Sequence, residues 1–205
     1  DQERQFFGAP GGLMHDWDLK TNMDGIYCAG DTLYASDCAG FACATGHYAG
    51  RKAAMWADGC QQGQGENGQE ISQIEQQVSE EIRRLYAPLK ADRANAVSWR
   101  ELNSAIAKGM QNYCGAVKCD ELLREGLDLL ESFEREQVPL VYAQNPHELM
   151  RVHEVMDILT VAKLVVCASL ARKHSSKPLC FERSDSDLTD PGQEHCHIVI
   201  RLEQG

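Results

Sequence analysis

Beyond residue 70 the apolar positions recur every three or four residues, the period of a helix with one buried face. In ISQIEQQVSEEIRRLYAPL, Ile71, Ile74, Val78, Ile82 and Leu85 share a face, and Pro88 ends the helix. Ser98 is placed to cap the helix opening at WRELNSAIAKG, and Glu101 three residues on completes a capping box. The next stretch, CDELLREGLDLLESFEREQV, repeats apolar residues at Leu122, Leu123, Leu127, Leu130 and Phe133. The longest helix is expected over 145–174, capped by Asn145 with Pro146 at its first position. Leu149, Val152, Met156, Leu159, Val166 and Leu170 form its main stripe. Val161, Leu164 and Val165 widen that stripe to nearly all round, so the middle is expected to lie among neighbours. Short connections between these helices predict a bundle.

The first 58 residues follow a different pattern. Short apolar runs at 13–17 and 26–29 flank a turn at 22–25, as two short strands would. Small residues from about Gly40 lead into HYAGRKAAMWADG, a helix expected to stop near Gly59. Residues 59–70 are polar and Gly-rich without a packable face, which reads as a linker. After the helices, the tail from about residue 177 carries two strand-like pieces around an acidic turn. The expected fold class is α+β, mainly α.

Composition narrows the function classes. With 43% hydrophobic residues among 205, the chain has enough apolar material for one or two cored domains. Its net charge of −11 argues against nucleic acid and anionic membrane surfaces, both of which select basic proteins. No apolar run approaches the roughly 20 residues that span a bilayer, and no signal-peptide pattern opens the chain. The start, DQERQFFGAPGG, suggests a processed or excised piece. Nine cysteines include no CxxC pair, so free buried thiols in a reducing cytoplasm are expected rather than a structural metal. His195 and His197 flank Cys196 at strand spacing and would share a face.

The stretch GIYCAGD, residues 25–31, carries the first chemistry. A strand ending in Gly-Asp at a sheet's carboxyl edge is a common place for a ligand. Asp31 there would accept hydrogen bonds from sugar or ribityl hydroxyls. The small residues at 39–46 permit close backbone approach, and the helix beyond offers free N–H groups to an anion or an electron-rich ring edge. A tight strand–loop–helix turn capped by Asp31 is the competing explanation.

GGLMHDWDLKTNMDGIYCAGD resembles the late FAD-domain segment of the succinate dehydrogenase/fumarate reductase flavoproteins. That family also includes L-aspartate oxidase and the adenylylsulfate reductase alpha subunit. Its Gly-Gly, strand-ending Asp and Gly-Leu-Tyr-Ala-Ala-Gly-Glu/Asp have counterparts in Gly11-Gly12, Asp16 and residues 25–31. Its Gly/Ala-rich loop and Gly-Arg helix are similar to residues 39–46 and Gly50-Arg51. MDILTVAKLVVCASLARKHSS resembles the family's last long helix, and CFERSDSDLTDP stands where the family has an aromatic, an Arg and an acidic turn.

The resemblance implies an FAD-dependent oxidoreductase: residues 1–58 end an FAD-binding domain, 59–70 link, and 71–205 form a C-terminal helical domain. Asp31 would bind the flavin ribityl chain, and the backbone of Ala42, Cys43 and Ala44 would face the flavin N1/O2 edge. His47 is a candidate proton donor or a capping residue. Arg183 is a candidate substrate contact or a salt bridge. His147 and His153 are expected to be structural, and 185–190 a solvated turn rather than a cation loop. The dicarboxylate enzymes' His is replaced within Gly8-Ala9-Pro10-Gly11-Gly12, and their loop Arg falls near Asp37, so neither succinate nor fumarate is expected as substrate. The literal GxGxxG at 63–68 falls in the polar linker with no apolar strand before it, and no other occurs. Without a dinucleotide-binding unit the chain is expected to be a C-terminal piece that holds FAD weakly or not at all alone. An iron–sulfur electron-transfer subunit is the implied partner. The rival class is a non-catalytic helical interaction module.

Overall fold

In the computed structural model, residues 12–33, 38–61, 68–91, 96–177, 180–189 and 198–201 are described. The expectations placed on residues 8–11, Asp37, the middle of the linker, Asp190 and the His195–Cys196–His197 trio lie outside them. The chain divides into two compact units, 1–73 and 74–205.

The first unit is built on α1 (Ala39–Gln61), preceded by a 3-10 turn at Gly30–Thr32. The small residues at 39–46 form the helix's first two turns rather than a loop leading into it. The helix ends at Gln61, two residues past Gly59 and close to the expected stop. Ala at three of the first ten positions favours helix and offsets the two glycines there. The two expected strands are absent; residues 13–27 carry only the isolated bridges His15–Thr21 and Lys20–Tyr27. A turn with Leu19 at φ 61° and Gly25 at φ 78° folds this stretch too tightly for a ladder to extend.

The second unit is mainly helical. It holds most of α2 (Gly68–Tyr86), then α3 (Trp99–Tyr113), α4 (Asp120–Ser132) and α5 (Pro146–Ala171). Two parallel two-residue pairings tie the connections together: β1 (Val97–Ser98) with β3 (Val141–Tyr142), and β2 (Val117–Lys118) with β4 (Glu182–Arg183). The fold is α+β, mainly α. Both predicted caps form: Ser98 Oγ accepts from Glu101 N at 3.2 Å, and Glu101 Oε2 accepts from Ser98 N at 2.8 Å. Asn145 Oδ1 accepts from Glu148 N at 3.0 Å, with Pro146 at the first helical position. The expected helix through residue 138 instead changes to a π turn at Phe133–Gln137 and a 3-10 turn at Val138–Leu140. Pro139 has no N–H to continue the α ladder.

Leu102, Ile106, Leu123, Leu130, Val152, Leu159 and Val166 fill the core where α3, α4 and α5 meet. Two stripes behave otherwise. On α2, Ile74 is 58% exposed, and Val78 and Ile82 are about half exposed. On α5, Val161, Leu164 and Val165 face outward, contrary to the expectation that the middle of this helix is surrounded. Among the described residues α5 packs on α3 and α4 from one side, so only Leu149, Val152, Val155, Leu159, Ala162, Val166 and Ser169 are enclosed.

The thiols also differ from expectation. Only Cys28 is buried among the described residues; Cys38, Cys43, Cys60 and Cys180 are exposed. Burial pushes the Cys28 thiol above its ordinary pKa. Among the described residues no group of three His, Cys, Asp or Glu side chains could hold a metal ion.

Candidate functional site

The GIYCAGD stretch ends in a turn clamped at two points. Ala29 N donates to Thr32 Oγ1 at 3.1 Å, and the same hydroxyl donates back to the Ala29 carbonyl at 2.7 Å. Gly30 adopts φ 61°, a left-handed conformation that costs an L side chain about 1–2 kcal/mol. A Cβ at Gly30 would also lie 3.4 Å from Ala42 Cβ, because the turn is pressed against α1. Leu13 N donates to the Thr32 carbonyl at 2.7 Å, laying the preceding chain over this turn.

This geometry leaves Asp31 projecting beside the start of α1. Asp31, Cys38, Ala39 and Ala42 line an open depression of about 290 Å³. Among the described residues the Asp31 carboxylate has no hydrogen-bond or ion-pair partner. It is therefore an acceptor free for hydroxyl groups. The methyl-sized walls at Ala39 and Ala42 admit close approach of a flat ligand.

The placement of the N–H donors changes the expectation for residues 42–44. Because α1 begins at Ala39, the Ala42 N–H already donates to the Cys38 carbonyl at 3.0 Å. Cys43 and Ala44 lie deeper in the helix, where N–H groups serve the ladder. The donors without an intrahelical acceptor are those of residues 39–41. Ala42 thus contributes its side chain to the wall, and Cys43 and Ala44 do not line the depression.

His47 is exposed on α1 and is not among the lining residues. Its neighbour Tyr48 donates to Asp18 Oδ1 at 3.0 Å, and Lys52 pairs with the same carboxylate at 2.7 Å. The Lys52 contact, followed by the Tyr48 hydrogen bond, lowers the Asp18 pKa. Neither Asp18 nor Lys52 stood out in the sequence. Their link spans 34 positions of a segment without periodic pattern.

Arg183 lies in the second unit, in an internal cluster. Its side chain is 1% exposed. Nε and one terminal nitrogen grip Asp185 at 2.8 and 2.7 Å, and that nitrogen also donates to Asp120 Oδ1. The other terminal nitrogen donates to the Ser169 carbonyl at 3.0 Å. The guanidinium thus joins the tail, the start of α4 and the end of α5, with no face open to a substrate. His153 Nε2 sits 3.0 Å from the Leu85 carbonyl, joining α5 to the end of α2.

Residues 103–185, which include α4, α5 and the Arg183 cluster, match the family described as fumarate reductase flavoprotein C-term. The match makes this part of the chain similar to that family's domain. Solved structures share its fold. The E. coli quinol fumarate reductase superposes with a TM-score of 0.70 at 20% identity, over 89% of this chain and 32% of that one. Adenylylsulfate reductase from Archaeoglobus fulgidus gives 0.66 at 20% identity, over 82% and 28%. Mycobacterium smegmatis Sdh1 in complex with UQ1 gives 0.62 at 20% identity, over 87% and 30%. The chain therefore spans about three-tenths of the length of the solved structures it matches. No curated protein matches it. Among the described residues no helix is long and apolar enough to cross a membrane.

Proposed function

We propose that this chain is the C-terminal part of an FAD-dependent oxidoreductase that acts on a substrate other than succinate or fumarate. In this reading residues 1–58 complete an FAD-binding domain, 59–70 link, and 71–205 form the helical domain. The observation that carries it is the unpartnered Asp31 carboxylate in a small-walled depression at the start of α1. Such a donor and acceptor set fits a flavin. Asp31 would accept from ribityl hydroxyls, and the first N–H groups of α1 would favour the electron-rich N1/O2 edge. The flavin supplies the redox chemistry, and the chain supplies placement and field.

Two sequence positions support the change of substrate. Residues 8–12 read Gly-Ala-Pro-Gly-Gly where the dicarboxylate enzymes carry a His, and Asp37 stands near their carboxylate-gripping Arg. A carboxylate there repels a dicarboxylate instead of pairing with it. The enclosed position of Arg183 favours a structural role for it, and His47 remains the candidate proton carrier near the site. An iron–sulfur subunit is the proposed electron-transfer partner, by analogy with the family.

The test is the visible flavin absorbance of the complete polypeptide containing this sequence. Bound FAD is expected, and Asp31→Ala should weaken its retention about tenfold, the effect of losing one charge-assisted hydrogen bond. A complete protein that purifies and reconstitutes without flavin rules the reading out. That result would favour a helical interaction module, to which the exposed faces of α2 and α5 lend themselves.

A further inference from the structure

We propose that Thr45 is a positioning residue for this site: its hydroxyl, on α1, holds the turn that presents Asp31. The inference rests on the flavin reading above. Gly30 N donates to Thr45 Oγ1 at 2.9 Å. The single hydroxyl proton of Thr45 is committed elsewhere, to the Phe41 carbonyl one turn back at 2.6 Å. The oxygen is thereby oriented as an acceptor, and the Gly30 N–H meets a lone pair.

The position of Thr45 on the helix gives this bond its consequence. Ala42 and Thr45 are three residues apart and share a face of α1. Ala42 lines the depression, while Thr45 fastens the turn that carries Asp31, which lines it too. Thr32 closes the turn internally, but its bonds go to Ala29 within the same segment and do not fix the turn against α1. Among the described residues the Gly30–Thr45 contact is the only hydrogen bond that does so. Gly30 is buried, so without that acceptor its N–H would be left unpaired or the turn would shift until water reached it. Either outcome moves Asp31, the next residue, relative to the wall formed by Ala39 and Ala42.

The test compares Thr45→Val, which keeps the shape and deletes the hydroxyl, with Thr45→Ser, which keeps the hydroxyl. Both are made in the complete protein. FAD affinity is read by titrating the deflavinated protein with FAD, and amide hydrogen exchange is followed at Gly30. Thr45→Val is expected to weaken FAD about tenfold and to speed Gly30 exchange, with helical circular dichroism unchanged. Thr45→Ser should stay within about twofold of the parent, since it restores the acceptor. If Thr45→Val does not accumulate folded, Thr45→Ala makes the same comparison. A parent that binds FAD and a Thr45→Val variant that binds it equally well would overturn the positioning role alone. Equal losses for Val and Ser would also overturn it, by assigning the effect to packing. A parent that binds no FAD removes the flavin reading and this inference together.

Discussion

Arg183→Met is expected to lower the unfolding free energy of the helical unit by about 3 kcal/mol, the lower end of the range for breaking a buried ion pair. The guanidinium is 1% exposed, whereas the Asp120 and Asp185 side chains are 36% and 31% exposed. Water can therefore reach the carboxylates left behind, which places the loss at the lower end. Methionine fills part of the volume but returns no donor to the Ser169 carbonyl. It also leaves two acidic groups facing each other, with Lys173 still paired to Asp120 at 2.7 Å. The same cluster predicts a pH dependence. Arg183, followed by the Asp120 backbone N–H, holds the Asp185 carboxyl far below its ordinary value of 3.8. Lys173, followed by Arg183, lowers the Asp120 pKa. Carboxyl groups with depressed folded pKa values contribute stability that is fully present above the ordinary value and lost as pH falls through the folded one. The parent should thus lose stability on acidification below about pH 4, and Arg183→Met should flatten that slope. Urea unfolding at neutral and acid pH measures both. A variant within 1 kcal/mol of the parent with an unchanged acid slope would show the cluster to be energetically idle.

What could be read in the sequence follows from how local each interaction is. The caps at Ser98 and Asn145 involve partners three residues away, and both form as the sequence implies. The core face of α5 was legible for the same reason, since the 3.6-residue period fixes which residues align. The period does not say how many neighbours surround a helix. Val161, Leu164 and Val165 are apolar yet outward, and the stripe on α2 is amphipathic yet half exposed. Arg183 stood in the sequence as either a substrate contact or a salt bridge, and no local rule could name the salt-bridge partner, because Asp120 lies 63 positions away. The depression had a mixed outcome. Asp31 and Ala42 meet there, as the motif suggested, but the early start of α1 moves the free N–H donors from 42–44 to 39–41. Thr45 carried no sequence signal: a threonine within a run of small residues is ordinary until the buried Gly30 N–H is found opposite it.

Gly126→Ala sets two local effects against each other, and the packing term is expected to win. Helix propensity alone favours the change by about 1 kcal/mol, because Gly126 lies within α4 and alanine loses less backbone entropy on folding. The missing Cβ, however, would sit 2.6 Å from Tyr113 Cβ, on the last residue of α3. That atom is attached directly to the backbone and cannot turn away, so the two helices must separate by roughly 1 Å to reach ordinary contact. Separation strains the contacts of Leu102, Ile106 and Leu123, which are almost wholly buried. Overpacking of this kind costs about 1–3 kcal/mol, and a contact this short against a backbone-attached atom belongs at the upper end. After the propensity gain, a net destabilisation of about 1–2 kcal/mol is expected. Gly109→Ala supplies the comparison within the same unit. Its new Cβ would meet only Leu129 Cδ2, at 3.2 Å, the free end of a side chain that can rotate aside. There the propensity gain and the crowding nearly cancel, so the variant should unfold within about 0.5 kcal/mol of the parent. If Gly126→Ala proved as benign as Gly109→Ala in urea unfolding, the close approach of α4 to the end of α3 would not be what limits this position to glycine.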